Sequence, residues 1–154
     1  FIMKFVVLNR SIMGKTVNEL NIGDRASFQK TISEVEIALF AGISADFNPL
    51  HINIEAIKKT KHKGRIAHGL LTAGLISAII GTKLPGIGTL YVEQDLKFTN
   101  PVYAGDTIKA NVEVISIVIA RNIVILNTYC VNQDGVTVIE GKAVVKPPLI
   151  NMED

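Results

Sequence analysis

The chain has 154 residues, 48% of them apolar and 19% charged, with a formal net charge of +2. That balance supports one domain with a sizeable core and excludes a disordered chain. The small charge, the absence of tryptophan and the scattered aromatics argue against nucleic acid as the main partner.

Cys130 is the only cysteine. It can form no intrachain disulfide, and a metal site built from several cysteines is excluded. A reducing, cytoplasmic setting is expected. Cys130 sits in an alternating apolar run, which predicts a buried, inert thiol.

Residues 1–13 begin Phe1-Ile2-Met3-Lys4-Phe5-Val6-Val7-Leu8. This run is too short for a secretory signal and is interrupted by Asn9-Arg10-Ser11. Residues 1–13 are expected to be an extension outside the core fold, or an added strand, with residues 14–150 as a single domain. Alternation over 26–31 predicts a first strand. Ser33-Glu34-Val35-Glu36 is a capping box. Behind it Val35, Ile37, Ala38, Leu39 and Ile43 give a helical stripe to about Ser44.

Asp46-Phe47-Asn48-Pro49-Leu50-His51 then sets a carboxylate and an imidazole on either side of an Asn-Pro turn. A helical turn or two is expected over 53–59. Lys58, Lys59, Lys61, Lys63 and Arg65, with His62, make a basic loop closed by Gly64. From Ile66 to Thr82 the chain is apolar on all sides, interrupted by Gly69, Gly74 and Gly81. The run falls short of the ~20 residues that span a bilayer, so it predicts a buried helix and no membrane span.

Strands are expected over 89–99, 107–119, 123–131 and 136–145. Lys109, Asn111 and Glu113 alternate with Ala110, Val112 and Val114, a period of two. Gln133-Asp134-Gly135 reads as a hairpin turn, and Ala120-Arg121-Asn122 as another. Helices first and long antiparallel strands after predict an α+β fold, with a curled sheet round the buried helix. An exposed sheet face and edge predict a homodimer.

Asp46 and His51 are the first candidates for chemistry. Water is a poor nucleophile until a base holds and deprotonates it, and an acid and an imidazole across a stiff turn can converge on one water. The plainer reading is turn chemistry: Asp46 and Asn48 bond their own backbone, and His51 packs at the surface. Spacing alone favours the turn. Gly69 stands where the buried helix should begin, so its amide points outward and suits a developing oxyanion; a packing glycine explains it equally. Ser77, two turns on, either faces a ligand or bonds back to its helix. The lysines read as solvated surface unless they meet phosphates.

Taken together, Asp46-Phe47-Asn48-Pro49-Leu50-His51, Ile66-Ala67-His68-Gly69 and Phe98-Thr99-Asn100-Pro101-Val102-Tyr103-Ala104-Gly105-Asp106 resemble the MaoC-like (R)-specific enoyl-CoA hydratases. The resemblance runs from about Val17 to Pro148. It implies a hot-dog fold, usually dimeric, and reversible hydration of trans-2-enoyl-CoA to the (R)-3-hydroxyacyl-CoA. It implies that Asp46 and His51 activate water, that Asn48 supports them, and that the Gly69 amide polarises the thioester carbonyl. Ser77 stands where the family has a serine near the active-site carboxylate. The resemblance implies no metal or redox cofactor, coenzyme A entering as part of the substrate.

The dense basic loop departs from the family pattern. Lys58, Lys59, Lys61 and Lys63 are candidates for binding the coenzyme phosphates or an acidic acyl carrier protein. Two alternatives stand beside the hydratase: a hot-dog acyl-CoA thioesterase, and a non-catalytic acyl-thioester binding module.

Overall fold

The computed structural model describes residues 13–149. Of the expected N-terminal extension, residues 1–12 lie outside the described residues. Strand β1 (Arg25–Thr31) is followed by helices α1 (Glu34–Ser44), α2 (Pro49–Ile52), α3 (Ile54–Ile57) and α4 (Gly69–Thr82). Strands β2 (Leu90–Phe98), β3 (Thr107–Val118), β4 (Ile123–Val131) and β5 (Thr137–Lys146) complete the chain. The five strands form one antiparallel sheet in the order β1-β3-β4-β5-β2. It is the expected α+β hot-dog arrangement, a curled sheet packed round α4.

Period-two alternation sorts the sheet residues. Ala110, Val112 and Val114 of β3, Val124, Leu126 and Cys130 of β4, and Ala143 and Val145 of β5 are buried. They share a core with Leu75, Ile76, Ile79 and Ile80 of α4. Burying each large side chain contributes about 1.5–3 kcal/mol. Lys109 is exposed on the other face. Gly135 takes φ +77 in the expected β4–β5 turn. The β3–β4 connection is a single 3-10 turn, Ile119–Arg121, ended by Asn122 in the left-handed region.

The structure corrects two expectations. In α1 the capping box is formed, with Ser33 Oγ accepting from the Glu36 amide. Of its apolar stripe, however, only Ile37 is buried, with Ala41 one turn on, whereas Val35, Leu39 and Ile43 are exposed. Apolar residues occur all round α1, so the sequence names no inward direction. The second concerns α4, which is buried on one side only. Thr72, Leu75, Ile76, Ile79 and Ile80 face inward, while Leu70, Gly74, Ser77 and Ala78 are exposed.

The Pro101–Asp106 turn positions the start of α4. Gly105 has φ +94, which a residue with a Cβ adopts only under strain. Asp106 is buried and accepts from the Tyr103 amide (2.8 Å) and from Gln133 Nε2 (2.9 Å). Residues 65–67 run antiparallel to 102–104: Ala67 N–H donates to the Val102 carbonyl (2.8 Å), and Ile66 bridges Tyr103. Helix α4 therefore starts where this short pairing ends.

Candidate active site

The loop bearing Asp46 is stiffened by its own side chains. Ala45 ends α1 in the left-handed region, at φ 59. Ser44 Oγ donates to the Phe40 carbonyl (2.7 Å) and accepts from the Asp46 amide (3.2 Å). Asp46 Oδ1 accepts from the Asn48 amide (3.2 Å). Asn48 Oδ1 accepts from the Leu50 amide (3.1 Å), capping α2, where Pro49 follows at the first helical position. Asn48 thus serves as a cap, and any support it lends to His51 passes through α2.

His51 projects from α2, with its side chain only 13% exposed against 52% for Asp46. Its Nδ1 lies 2.6 Å from the Ile66 carbonyl oxygen. A carbonyl can only accept, so Nδ1 carries a proton, and in the neutral ring Nε2 presents a lone pair. Nε2 faces Asp46 Oδ2 across 3.9 Å. That interval is too long for a direct hydrogen bond and suits two acceptors converging on one bridging water. The turn and the dyad coexist: one oxygen of Asp46 holds the loop, and the other faces His51.

Behind His51 lies His68, 2% exposed. The two rings stack with centroids 3.8 Å apart and planes 27° from parallel. His68 Nε2 is 3.0 Å from the Asp46 carbonyl oxygen. Ligand-type atoms of Asp46, His51 and His68 all lie within 4.8 Å of one another. One nitrogen of each ring is committed to a carbonyl, and the remaining nitrogen of His68, Nδ1, is buried with no hydrogen-bond partner.

Gly69 opens α4, and its amide has no carbonyl one turn back to meet. A Cβ built on Gly69 would lie 2.6 Å from Phe98 Cε1. A side chain at position 69 would therefore have to displace the Phe98 ring, which is itself exposed. An open apolar cavity of about 390 Å³ is lined by His51, Gly69, Thr72, Phe98, Asn100 and Val138, among others. Its size is within the usual range for small-molecule sites. Thr72, 1% exposed, has a hydroxyl with no hydrogen-bond partner.

Sequence reasoning passed over His68, Phe98 and Thr72 as site residues. The signal available for His68 was its place just before the apolar helix, where a capping side chain is the norm. The structure does not bring the other candidates to the dyad. Ser77 is exposed on the far side of α4, and among the described residues no hydrogen bond links it to Asp46. Lys58 pairs with Glu55 (2.6 Å), and Lys63 lies over the Tyr103 ring at 4.7 Å. Lys59 and Lys61 are exposed. Cys130 is fully buried as expected, and burial pushes its thiol up to about 12.

The profile of the MaoC like domain matches residues 17–133, which include the dyad, the start of α4 and the Pro101–Asp106 turn. The chain belongs to the MaoC-like family. An (R)-specific enoyl-CoA hydratase of Rhodospirillum rubrum is 49% identical over 130 residues, 84% of this chain and 90% of that protein. A 3-hydroxybutyryl-CoA dehydratase of Methylorubrum extorquens is 42% identical over 130 residues, covering 84% and 82%. Among solved structures, the unliganded R-hydratase PhaJ1 of Pseudomonas aeruginosa superposes with a TM-score of 0.85 at 37% identity, covering 93% of this chain and 94% of that one. These MaoC-like relatives share the hot-dog fold, and the described residues contain no helix long and apolar enough to cross a membrane.

Proposed function

We propose that the chain is an (R)-specific enoyl-CoA hydratase, a hydro-lyase that adds water reversibly across trans-2-enoyl-CoA to give the (R)-3-hydroxyacyl-CoA. One observation carries this reading: Asp46 Oδ2 and His51 Nε2 face each other across 3.9 Å, with His51 on the wall of an apolar cavity that also holds the first amide of α4. The dyad holds a water and takes one of its protons. The hydroxyl adds to C3, and the proton then passes to C2. Electron density moves onto the thioester oxygen in between, where the Gly69 N–H stabilises it. The apolar wall takes the acyl chain. This chemistry uses a base, an orienting group and an amide donor, so the proposal calls for no metal or redox cofactor.

The coenzyme phosphates are assigned to the 58–63 loop, with Lys59 and Lys61 as its most available cations. Replacing Lys58, Lys59, Lys61 and Lys63 by Gln should raise KM for acyl-CoA, most at low salt, and leave kcat unchanged. If instead only an acyl-carrier-protein thioester loses KM, the loop serves the carrier. A homodimer belongs to the same reading, as does a reducing, cytoplasmic setting. Edge strand β2 exposes Leu90, Val92 and Phe98, and the outward side of α4 exposes Leu70 beside small residues. Val92→Lys should shift the sedimenting species towards monomer.

The deciding assay is crotonyl-CoA with the purified protein, following loss of the enoyl absorbance and the stereochemistry of the product. Formation of (R)-3-hydroxybutyryl-CoA supports the hydratase. Release of free coenzyme A thiol points to thioester hydrolysis, and tight binding without turnover to a non-catalytic acyl-thioester binding module.

A further inference from the structure

The N-cap position of α4 is occupied by a side chain that does not cap. His68 has φ −57 and ψ 134, the extended backbone of an N-cap, yet makes no side-chain bond to the first amides of the helix. Ser, Thr, Asp or Asn at this position turns an oxygen onto those amides. The same chain does so at Ser33, Asn48 and Asn53, each of which caps its helix. At α4 the imidazole turns away instead. It lies against His51 on one ring pair (3.8 Å) and against Phe40 of α1 on another (4.9 Å, tilted by 53°). Its Nε2 meets the Asp46 carbonyl oxygen at 3.0 Å.

Resting on the hydratase reading, we propose that His68 is the positioning residue that couples the two halves of the site. Nε2 faces an acceptor, so it carries the proton and pins the main chain of Asp46, whose own side chain stands on an exposed loop. The stacked ring sets the plane of His51 and so aims Nε2 at Asp46 Oδ2. The peptide bond joins His68 to Gly69, whose amide it leaves uncapped. One buried residue therefore fixes the base pair relative to the carbonyl-binding amide, and keeps that amide available. A displacement of about 1 Å between such groups can cost about a hundredfold in rate.

Three substitutions separate these tasks. His68→Ser supplies a capping oxygen and removes the ring; it should hold the melting temperature near the native value while kcat falls tenfold or more. His68→Phe keeps a stacked ring but loses the donor, and His68→Gln restores a donor near the Nε2 position. Gln is expected to recover more kcat than Phe, with KM for crotonyl-CoA changed less than kcat in both. A merely structural histidine predicts the reverse, with activity following melting temperature across the three.

The tautomers give a readout independent of turnover. The chain has only three histidines, and long-range proton–nitrogen correlation spectra should show Nε2–H at His68 and Nδ1–H at His51. In His68→Phe and His68→Ser the His51 ring nitrogens should change shift; in His68→Gln they should change as well, since the stack is gone. An Nδ1–H tautomer at His68, or a His51 spectrum unaltered by all three substitutions, overturns the positioning role. Should the native protein fail to hydrate crotonyl-CoA, the spectra still decide that role, and the failed turnover counts against the hydratase reading alone.

Discussion

Asp46 stands on a loop that is exposed from Ser44 to Pro49, whereas His68 and Thr72, at the start of α4, are 2% and 1% exposed. The loop is held by short local bonds: Ser44, Asp46 and Asn48 each accept from an amide two residues on. The start of α4 is held by tertiary contacts with residues 102–104, with Phe98 and with the two histidine rings. On the hydratase reading, the proton chemistry therefore sits on the more exposed region, and the amide assigned to the carbonyl sits at a partly buried helix start beside two buried side chains. A hydrogen bond from a protected amide is worth more than one in solvent. Each region is fixed by the means its exposure permits.

On the hydratase reading, the largest effect should come from removing either member of the Asp46–His51 dyad. Asp46→Asn and His51→Ala are expected to lower kcat by a factor of about 10² to 10⁴ with little change in melting temperature. A fall in stability equal to the fall in rate would erase the contrast between the two regions. Gly69→Ala tests the buried side. The new methyl meets the Phe98 ring at 2.6 Å; overpacking in a core costs about 1–3 kcal/mol, and the exposed Phe98 ring can yield, so the cost should fall at the low end. Both melting temperature and kcat should fall, and adding Phe98→Ala should return part of the stability. Return of full activity with it would mean that Phe98 only packs.

A smaller effect is expected at the cap of α2. Asn48→Ala removes a side-chain bond to the Leu50 amide, and loss of such a cap costs about 1 kcal/mol. Activity should fall modestly, through drift of His51, and Asn48→Asp should restore it. The smallest concerns Cys130, remote from both regions. Its thiol is raised from 9.0 to about 12 by burial, so the folded state holds the proton more tightly than the unfolded one. Stability from this group is complete below about pH 9 and is lost as pH rises from there towards 12. At pH 8 a thiol reagent should label Cys130 only as fast as the protein unfolds; rapid labelling would place it nearer the surface.

Much of the fold was legible because local rules govern it. The period of two over 107–114, the capping box at Ser33 and the turn at Gly135 needed no distant partner to be read. Helix α1 was legible as a helix but not in its orientation, since an all-round apolar helix takes its inward face from whatever packs on it. The same holds for Ser77, whose exposed position on α4 follows from which side the sheet covers.

At the site the division is similar. Asp46, His51 and Gly69 are in the sequence as residue types at suggestive spacing, and turn chemistry for the first two and a packing glycine for the third remained sufficient explanations. Three matters were decided only when the chain folded. One is the assignment of the two Asp46 oxygens to different tasks. Another is the packing of Phe98 against a glycine far from it in sequence. The last is the diversion of His68 from helix cap to partner of both Asp46 and His51. The physical reason is common to them: sequence specifies bonds between near neighbours, while a lone pair is aimed by groups that only tertiary packing brings beside it.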